Sequence, residues 1–181
     1  RLVAFHEHNE HQRTPKLIEQ LQSGISIALV SDAGTPTVSD PGFRLVRAAI
    51  ENHIAVVPIP GVSAVITALS ASGLPSDAFS FVGFPARKKN RRTQQLQSLE
   101  PLAHTLIFYE SPRRIITLLE EIGTIMGDRF TVVAREMTKI HEEFLRGRIS
   151  EVTALLKARN EIKGECTVLV EGAGPKAPAG Q

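Results

Sequence analysis

The stretch ISIALVSDAGTPTVSDPGF, residues 25–43, decides how the chain is read. Its first six residues are a continuous apolar run too short for a helix, the pattern of a strand covered on both faces. The remainder is small, polar and turn-forming, and Gly34 lets another molecule approach the backbone closely. Asp40 reads as an N-cap and Pro41 as the opening of a helix that carries Phe43, Leu45, Val46, Ala49 and Ile50. Strand, glycine-bearing turn and helix in that order are the repeating unit of a parallel α/β sheet. Ligands of such sheets sit beyond the carboxyl ends of the strands.

Working outward, TPKLIEQLQSG at 14–24 reads as a helix capped by Thr14, opened by Pro15, apolar at Leu17, Ile18 and Leu21, and stopped by Gly24. Downstream, IAVVPI at 54–59 repeats the buried-strand pattern. The turn PGVSA at 60–64 follows, then a helix with Val62, Val65, Ile66 and Leu69 inward, ended by Gly73 and Pro75. This alternation predicts a mainly parallel sheet with right-handed crossovers. The two turns then share one rim, although tight βα connections need Gly and Pro for geometry alone.

After GLPSD the pattern changes. FSFVGF (79–84), HTLIFY (104–109), FTVVARE (130–136), EEFLRG (142–147) and ECTVLVE (165–171) read as strands. Helices are expected near 90–99, after Ser111 and Pro112, and from Ser150 to about Arg159. The close spacing of the third and fourth of these strands predicts an antiparallel pair, hence a mixed sheet. The chain therefore reads as two α/β domains, 1–76 and 77–172, with a disordered tail at 173–181.

Composition narrows the function. Hydrophobic residues make up 42% and charged residues 22% of 181 positions, and no apolar run approaches the roughly 20 residues of a membrane span, so no membrane partner is expected. The single cysteine, Cys166, forms no internal disulfide, and the chain opens without a signal-peptide pattern, which fits a reducing cytoplasm. Neither turn has the glycine order of a dinucleotide site or a phosphate loop. His6 and His8 alternate as if on a strand, but no further ligand stands at a recognisable interval, and no metal is expected. The net charge of +2 conceals Arg87, Lys88, Lys89, Arg91 and Arg92 within six positions. Such a cluster suits phosphates, with Arg113 and Arg114 beside it, or else is a solvated helix start. Aromatic content of 5% without tryptophan argues that phosphate and ribose contacts outweigh base stacking.

Six segments in order, SDAGTPTVSDPG, PIPGVSAVITALSASGLP, FVGFPARKK, FYESPRR, AREMTKIHEE and GECTVLVEG, closely resemble the tetrapyrrole methylase family, in particular its ribosomal RNA-modifying branch. The resemblance covers about residues 1–172. It implies two α/β domains with a cofactor cleft between them, S-adenosylmethionine as cofactor, and a homodimer. It also implies methylation of a cytidine ribose 2′-hydroxyl in 16S ribosomal RNA, free or in the small ribosomal subunit.

The family's first cofactor loop falls on Gly34, Thr35, Pro36 and Val38. Thr35 replaces the usual acidic residue, and the nearest carboxylate is Asp32, beside Ala33. The second loop falls on Ser63 and Ala64. Contacts from the second domain fall on Tyr109 and Glu110, Ala134 and Arg135, and Glu165, Cys166 and Thr167; His8 and Asn9 fall near the substrate. Family members carry a further strand, turn, helix and strand before HEHNE, so the resemblance implies a first domain truncated at its start and an incomplete cofactor site.

Methyl transfer from a sulfonium to an oxygen is an in-line displacement, which needs alignment, exclusion of water and loss of one proton. Within AREMTKIHEE, Glu136 and Lys139 are the expected pair to orient or deprotonate the hydroxyl, although a mixed-charge turn is commonly just solvated. Three readings stand: the RNA 2′-O-methyltransferase, a tetrapyrrole methylase of the same fold, and a noncatalytic RNA-binding module.

Overall fold

The computed structural model describes residues 2–174; of the tail expected to be disordered, 173–181, all but the first two residues lie outside them, and the Ala173 N–H donates to the Leu102 carbonyl at 2.7 Å. Packing divides the chain into two units, Arg1–Ser63 and Ala64–Gln181, upstream of the cut expected after Ser76. The reason is the helix α3 (Ala64–Ser72), which buries Val65, Ala68 and Leu69 against Ile107, Val132, Ala134 and Leu169 of the downstream sheet.

The upstream unit holds α1 (Glu10–Gln22) and α2 (Phe43–Glu51), packed through Ile18, Leu45 and Ala49. α1 starts before the expected cap: Asn9 occupies the N-cap position, Thr14 donates to the Glu10 carbonyl at 2.8 Å inside the helix, and Pro15 is accommodated within it. HEHNEH is thus a turn and a helix start rather than a strand.

Gly42, not Asp40, is the N-cap position of α2. The cap comes from afar, because the buried Glu10 carboxylate accepts the N–H groups of Gly42 (3.2 Å) and Arg44 (3.0 Å). An anion at a helix N-terminus satisfies orphan donors and complements the dipole. Gly42 has φ 137°, and a Cβ there would lie 2.6 Å from Leu29 Cδ2, so this corner requires glycine.

The two runs read as buried strands, ISIALV and IAVVPI, form no ladder among the described residues. Ile25, Val30, Val56, Val57 and Ile59 are exposed. Apolar sequence permits a strand, but only pairing of its N–H and C=O groups makes one, so the expected parallel sheet of the first domain is not formed here. Val62 and Ile66, expected inward, are exposed as well.

The downstream unit bears out its reading. Strands β1 (Phe79–Gly83), β2 (Thr105–Glu110), β3 (Phe130–Arg135), β4 (Glu143–Arg148) and β5 (Cys166–Val170) form one mixed sheet in the order β1-β2-β5-β3-β4. β1 and β2 are parallel, and β5 lies antiparallel between β2 and β3. β3 and β4 form the expected antiparallel pair.

Helices α4 (Lys89–Leu99), α5 (Ile115–Met126) and α6 (Ile149–Lys157) cover one face through Leu96, Leu118, Leu119, Ile122, Val152 and Leu156, while α3 covers the other. α5 begins after three turn residues, so Ser111 contributes its carbonyl to the first turn rather than a side-chain cap. Among the described residues no helix is long and apolar enough to cross a membrane.

Candidate functional site

Within the upstream unit, the Thr35 hydroxyl donates a 2.9 Å hydrogen bond to the Val62 carbonyl, so the SDAGTP and PGVSA turns are neighbours as expected. Gly34 has φ 70° with no atom within 4 Å of where a Cβ would stand, and Gly61 meets only the Ile59 carbonyl at 3.9 Å. Both glycine corners are therefore open, and the backbone around them has room for a ligand. Asp32, Ala33 and Val38 are exposed and Ser63 half-buried. Thr37 and Ser39 hold left-handed conformations at φ 73° and 63°, a cost that persists where surrounding structure enforces it, commonly at ligand-binding loops. His8 is exposed, and Asn9 is occupied by the chain itself, accepting the His6 N–H at 2.9 Å and donating to the Ala4 carbonyl at 3.1 Å.

In the downstream unit, sheet register aligns residues distant in sequence. Tyr109, Thr167 and Ala134 stand side by side across β2, β5 and β3, and Glu110, Cys166 and Arg135 form the next row. Adjacent rows point to opposite faces of a sheet. The first row belongs to the α3 side and the second to the side of α5 and α6. The six residues are thus brought together, but a ligand lying on one face reaches only one row.

The second row is already engaged. Glu110 is buried and accepts from the Ser111 N–H at 2.7 Å and from Arg114, whose closest nitrogen lies at 2.6 Å. Arg135 donates to Glu143 at 3.0 Å and to the Lys163 carbonyl at 3.1 Å. Glu143 also receives Arg159, and these two guanidinium groups, Arg159 foremost, hold its carboxyl down at about 2. Burial pushes the Cys166 thiol up to about 11, so it stays protonated at neutral pH. Ala64 opens α3, half-buried.

Glu136 and Lys139 do meet. The Glu136 carboxylate accepts the Glu165 N–H at 2.9 Å and Lys139 Nζ at 2.9 Å, and Lys139 also reaches Glu165 at 3.0 Å. The backbone N–H of Glu165 foremost, then Lys139, holds the Glu136 carboxyl below its usual range; Glu136 and Glu165 hold the Lys139 ammonium above its own. A carboxylate made less basic and an amine made harder to deprotonate suit orientation better than proton removal. Glu136 and Thr138 have φ 50° and 66°, a second cluster of left-handed residues.

The basic run divides. Arg87, Lys88, Lys89 and Arg91 are exposed and carry no ion pair among the described residues. Arg92 is a correction: it is buried, grips both carboxylate oxygens of Glu121, one at 2.7 Å, and donates at 3.0 Å to the carbonyls of Ala86 and Arg87. It ties the first turn of α4, which carries Lys89 and Arg91, to the loop that carries Arg87 and Lys88. Arg113 is exposed, whereas Arg114 is committed to Glu110.

The family model described as Tetrapyrrole (Corrin/Porphyrin) Methylases matches residues 2–153. The chain is 50% identical over 175 residues to "Ribosomal RNA small subunit methyltransferase I" of Escherichia coli O157:H7, covering 95% of this chain and 61% of that protein. It spans about three fifths of the length of the curated relatives it matches. In structure it is similar to the methyltransferase CobJ, with a TM-score of 0.66 at 20% identity over 91% of this chain and 72% of that one. The uroporphyrin-III C-methyl transferase of Thermus thermophilus complexed with S-adenyl homocysteine gives 0.59 at 17% identity, covering 90% and 73%. Sequence and fold together show that this chain belongs to the tetrapyrrole methylase family.

Proposed function

We propose that the chain is part of an S-adenosylmethionine-dependent methyltransferase that acts on a ribose 2′-hydroxyl of 16S ribosomal RNA in the small ribosomal subunit. One observation carries the acceptor: identity of about one half, over 95% of this chain and 61% of that protein, is to a relative named for ribosomal RNA, whereas a uroporphyrin-III C-methyl transferase shares the fold at 17% identity. The exposed cations Arg87, Lys88, Lys89 and Arg91 support it, since phosphates supply the matching charge.

The residues fit the cofactor. The open corners at Gly34 and Gly61 and the small side chains of Ser63 and Ala64 offer backbone and space, with Asp32, Ala33, Thr35 and Val38 alongside. On the α3 face, Ala134 and Thr167 are buried and Tyr109 beside them is half-buried, so Tyr109 is the member of that row proposed to reach the cofactor. When bound, S-adenosylmethionine supplies a methyl group on a sulfonium. Glu136 and Lys139, as a fixed ion pair, orient the acceptor hydroxyl for in-line attack, and the cations and Arg113 hold the flanking phosphates. This reading places the protein in the cytoplasm, as a homodimer.

Calorimetric titration with S-adenosylhomocysteine separates the enzyme readings from the noncatalytic one. A saturable single site supports the proposal; no binding by a folded chain that still retains RNA rejects it.

A further inference from the structure

β1 carries an irregularity in its pairing with β2. Phe79, Ser80 and Phe81 pair in step with Thr105, Leu106 and Ile107, but Phe108 is met by Gly83, so the register slips by one residue. Gly83 has φ 73°, open to glycine and costly for other residues. Strict alternation would send Phe84 to the side of Val82, which packs in the core under α4 and α5. After the slip it lies instead on the side of Phe81 and Tyr109. Its ring centroid is 5.6 Å from that of Tyr109, which in turn meets Phe81 edge-on at 4.8 Å.

A bulge re-aims a side chain at a cost in ladder bonds. Here the re-aimed ring is not hidden: Phe84 is 57% exposed. In this place the ring keeps its contact with Tyr109 while more than half of its surface stays open. Three residues later the exposed cations begin, on a loop fixed by Arg92.

We propose that Phe84, braced by Tyr109, is a stacking platform for one unpaired nucleobase of the RNA acceptor, whose flanking phosphates meet Arg87, Lys88, Lys89 and Arg91. Every base has a π-face, and an edge-supported ring beside a cationic loop is the combination that single-stranded RNA uses. The cofactor's adenine is the weaker candidate, because it carries no phosphate to match the neighbouring charge. The inference rests on the RNA reading and adds to it a base contact that aromatic content alone argues against.

The test uses the full chain, a short single-stranded oligoribonucleotide, and an abasic ribose-phosphate strand of equal length. Phe84→Ala is expected to weaken binding of the base-bearing strand by about tenfold or more. Binding of the abasic strand and the salt slope stay unchanged, and Phe84→Trp restores affinity. Arg87→Ala is expected to weaken both strands and lower the salt slope by about 0.7. The stacking inference is overturned if Phe84→Ala leaves the preference for the base-bearing strand intact. Loss of S-adenosylhomocysteine binding alone, or a change only in molar mass by light scattering, also overturns it. If the unsubstituted chain binds neither strand, the RNA reading fails with it.

Discussion

The Thr35 hydroxyl is bonded to the carbonyl of Val62, 27 positions away, and this single bond joins two glycine-bearing turns of the upstream unit. In the position where the family carries a carboxylate, this chain thus has a group that ties loop to loop. Thr35→Val keeps shape and removes the donor. A hydrogen bond of this kind contributes about 1 kcal/mol net, so S-adenosylhomocysteine affinity is expected to fall by roughly three- to tenfold, with Thr35→Ser close to the parent. Calorimetry on the three proteins checks it; equal affinities would show that the tie does not shape the site.

Arg92 and Arg87 lie in one basic run yet should fail in different ways. Arg92→Ala leaves Glu121 half-buried and unpaired, a loss of about 3 kcal/mol in urea unfolding, because the partner's desolvation is no longer offset. Arg87→Ala is expected to leave the unfolding free energy within about 0.5 kcal/mol and to weaken RNA binding instead. The reverse pattern would invert the roles assigned to the two residues.

Such a division was not legible in the sequence. A window of cations does not reveal which one reaches Glu121 on another helix, just as Glu10 gives no local sign that it caps a helix beginning 33 positions later. The downstream strands were legible because FSFVG, TLIFYE, FTVVAR and CTVLV are apolar in short runs and find one another within the same unit. ISIALV and IAVVPI are as apolar but have no ladder partner among the described residues, so periodicity overstated them. The cross-strand rows followed from motif order only in part: the resemblance named the residues, whereas the split between two faces needed the register. The turn of Phe84 could have been suspected from Gly83, a glycine inside a strand pattern.

Glu143 sets an acid limit. Its carboxyl is held at about 2 by Arg159 and Arg135, below the unfolded value near 4.5. A depressed folded-state pKa contributes stability that is complete above the unfolded value and is lost as pH falls towards about 2. Because the carboxylate and Arg159 are partly exposed to screening solvent, the contribution is about 1–2 kcal/mol. Urea midpoints measured across that window should fall steeply for the parent and more gently for Glu143→Gln; parallel curves would place the acid sensitivity elsewhere.

Cys166 should be inert. Buried between β2 and β3 with its thiol raised to about 11, it presents almost no thiolate at neutral pH. Iodoacetamide is expected to label the native chain far more slowly than the urea-unfolded chain, followed by mass spectrometry. Equal rates would mean that the strand tip opens readily and that the row it belongs to is not a fixed surface.

The claim on which the account turns is methyl transfer to a ribose oxygen. The direct measurement is to supply S-adenosylmethionine labelled in its methyl group with small ribosomal subunits, then hydrolyse the RNA in alkali. A methylated 2′-oxygen cannot attack the adjacent phosphodiester, so the account predicts label in an alkali-resistant dinucleotide. Label released in mononucleotides would place the methyl on a base, and label entering a tetrapyrrole while RNA stays unlabelled would assign the acceptor to the other branch of the family; either result contradicts the account.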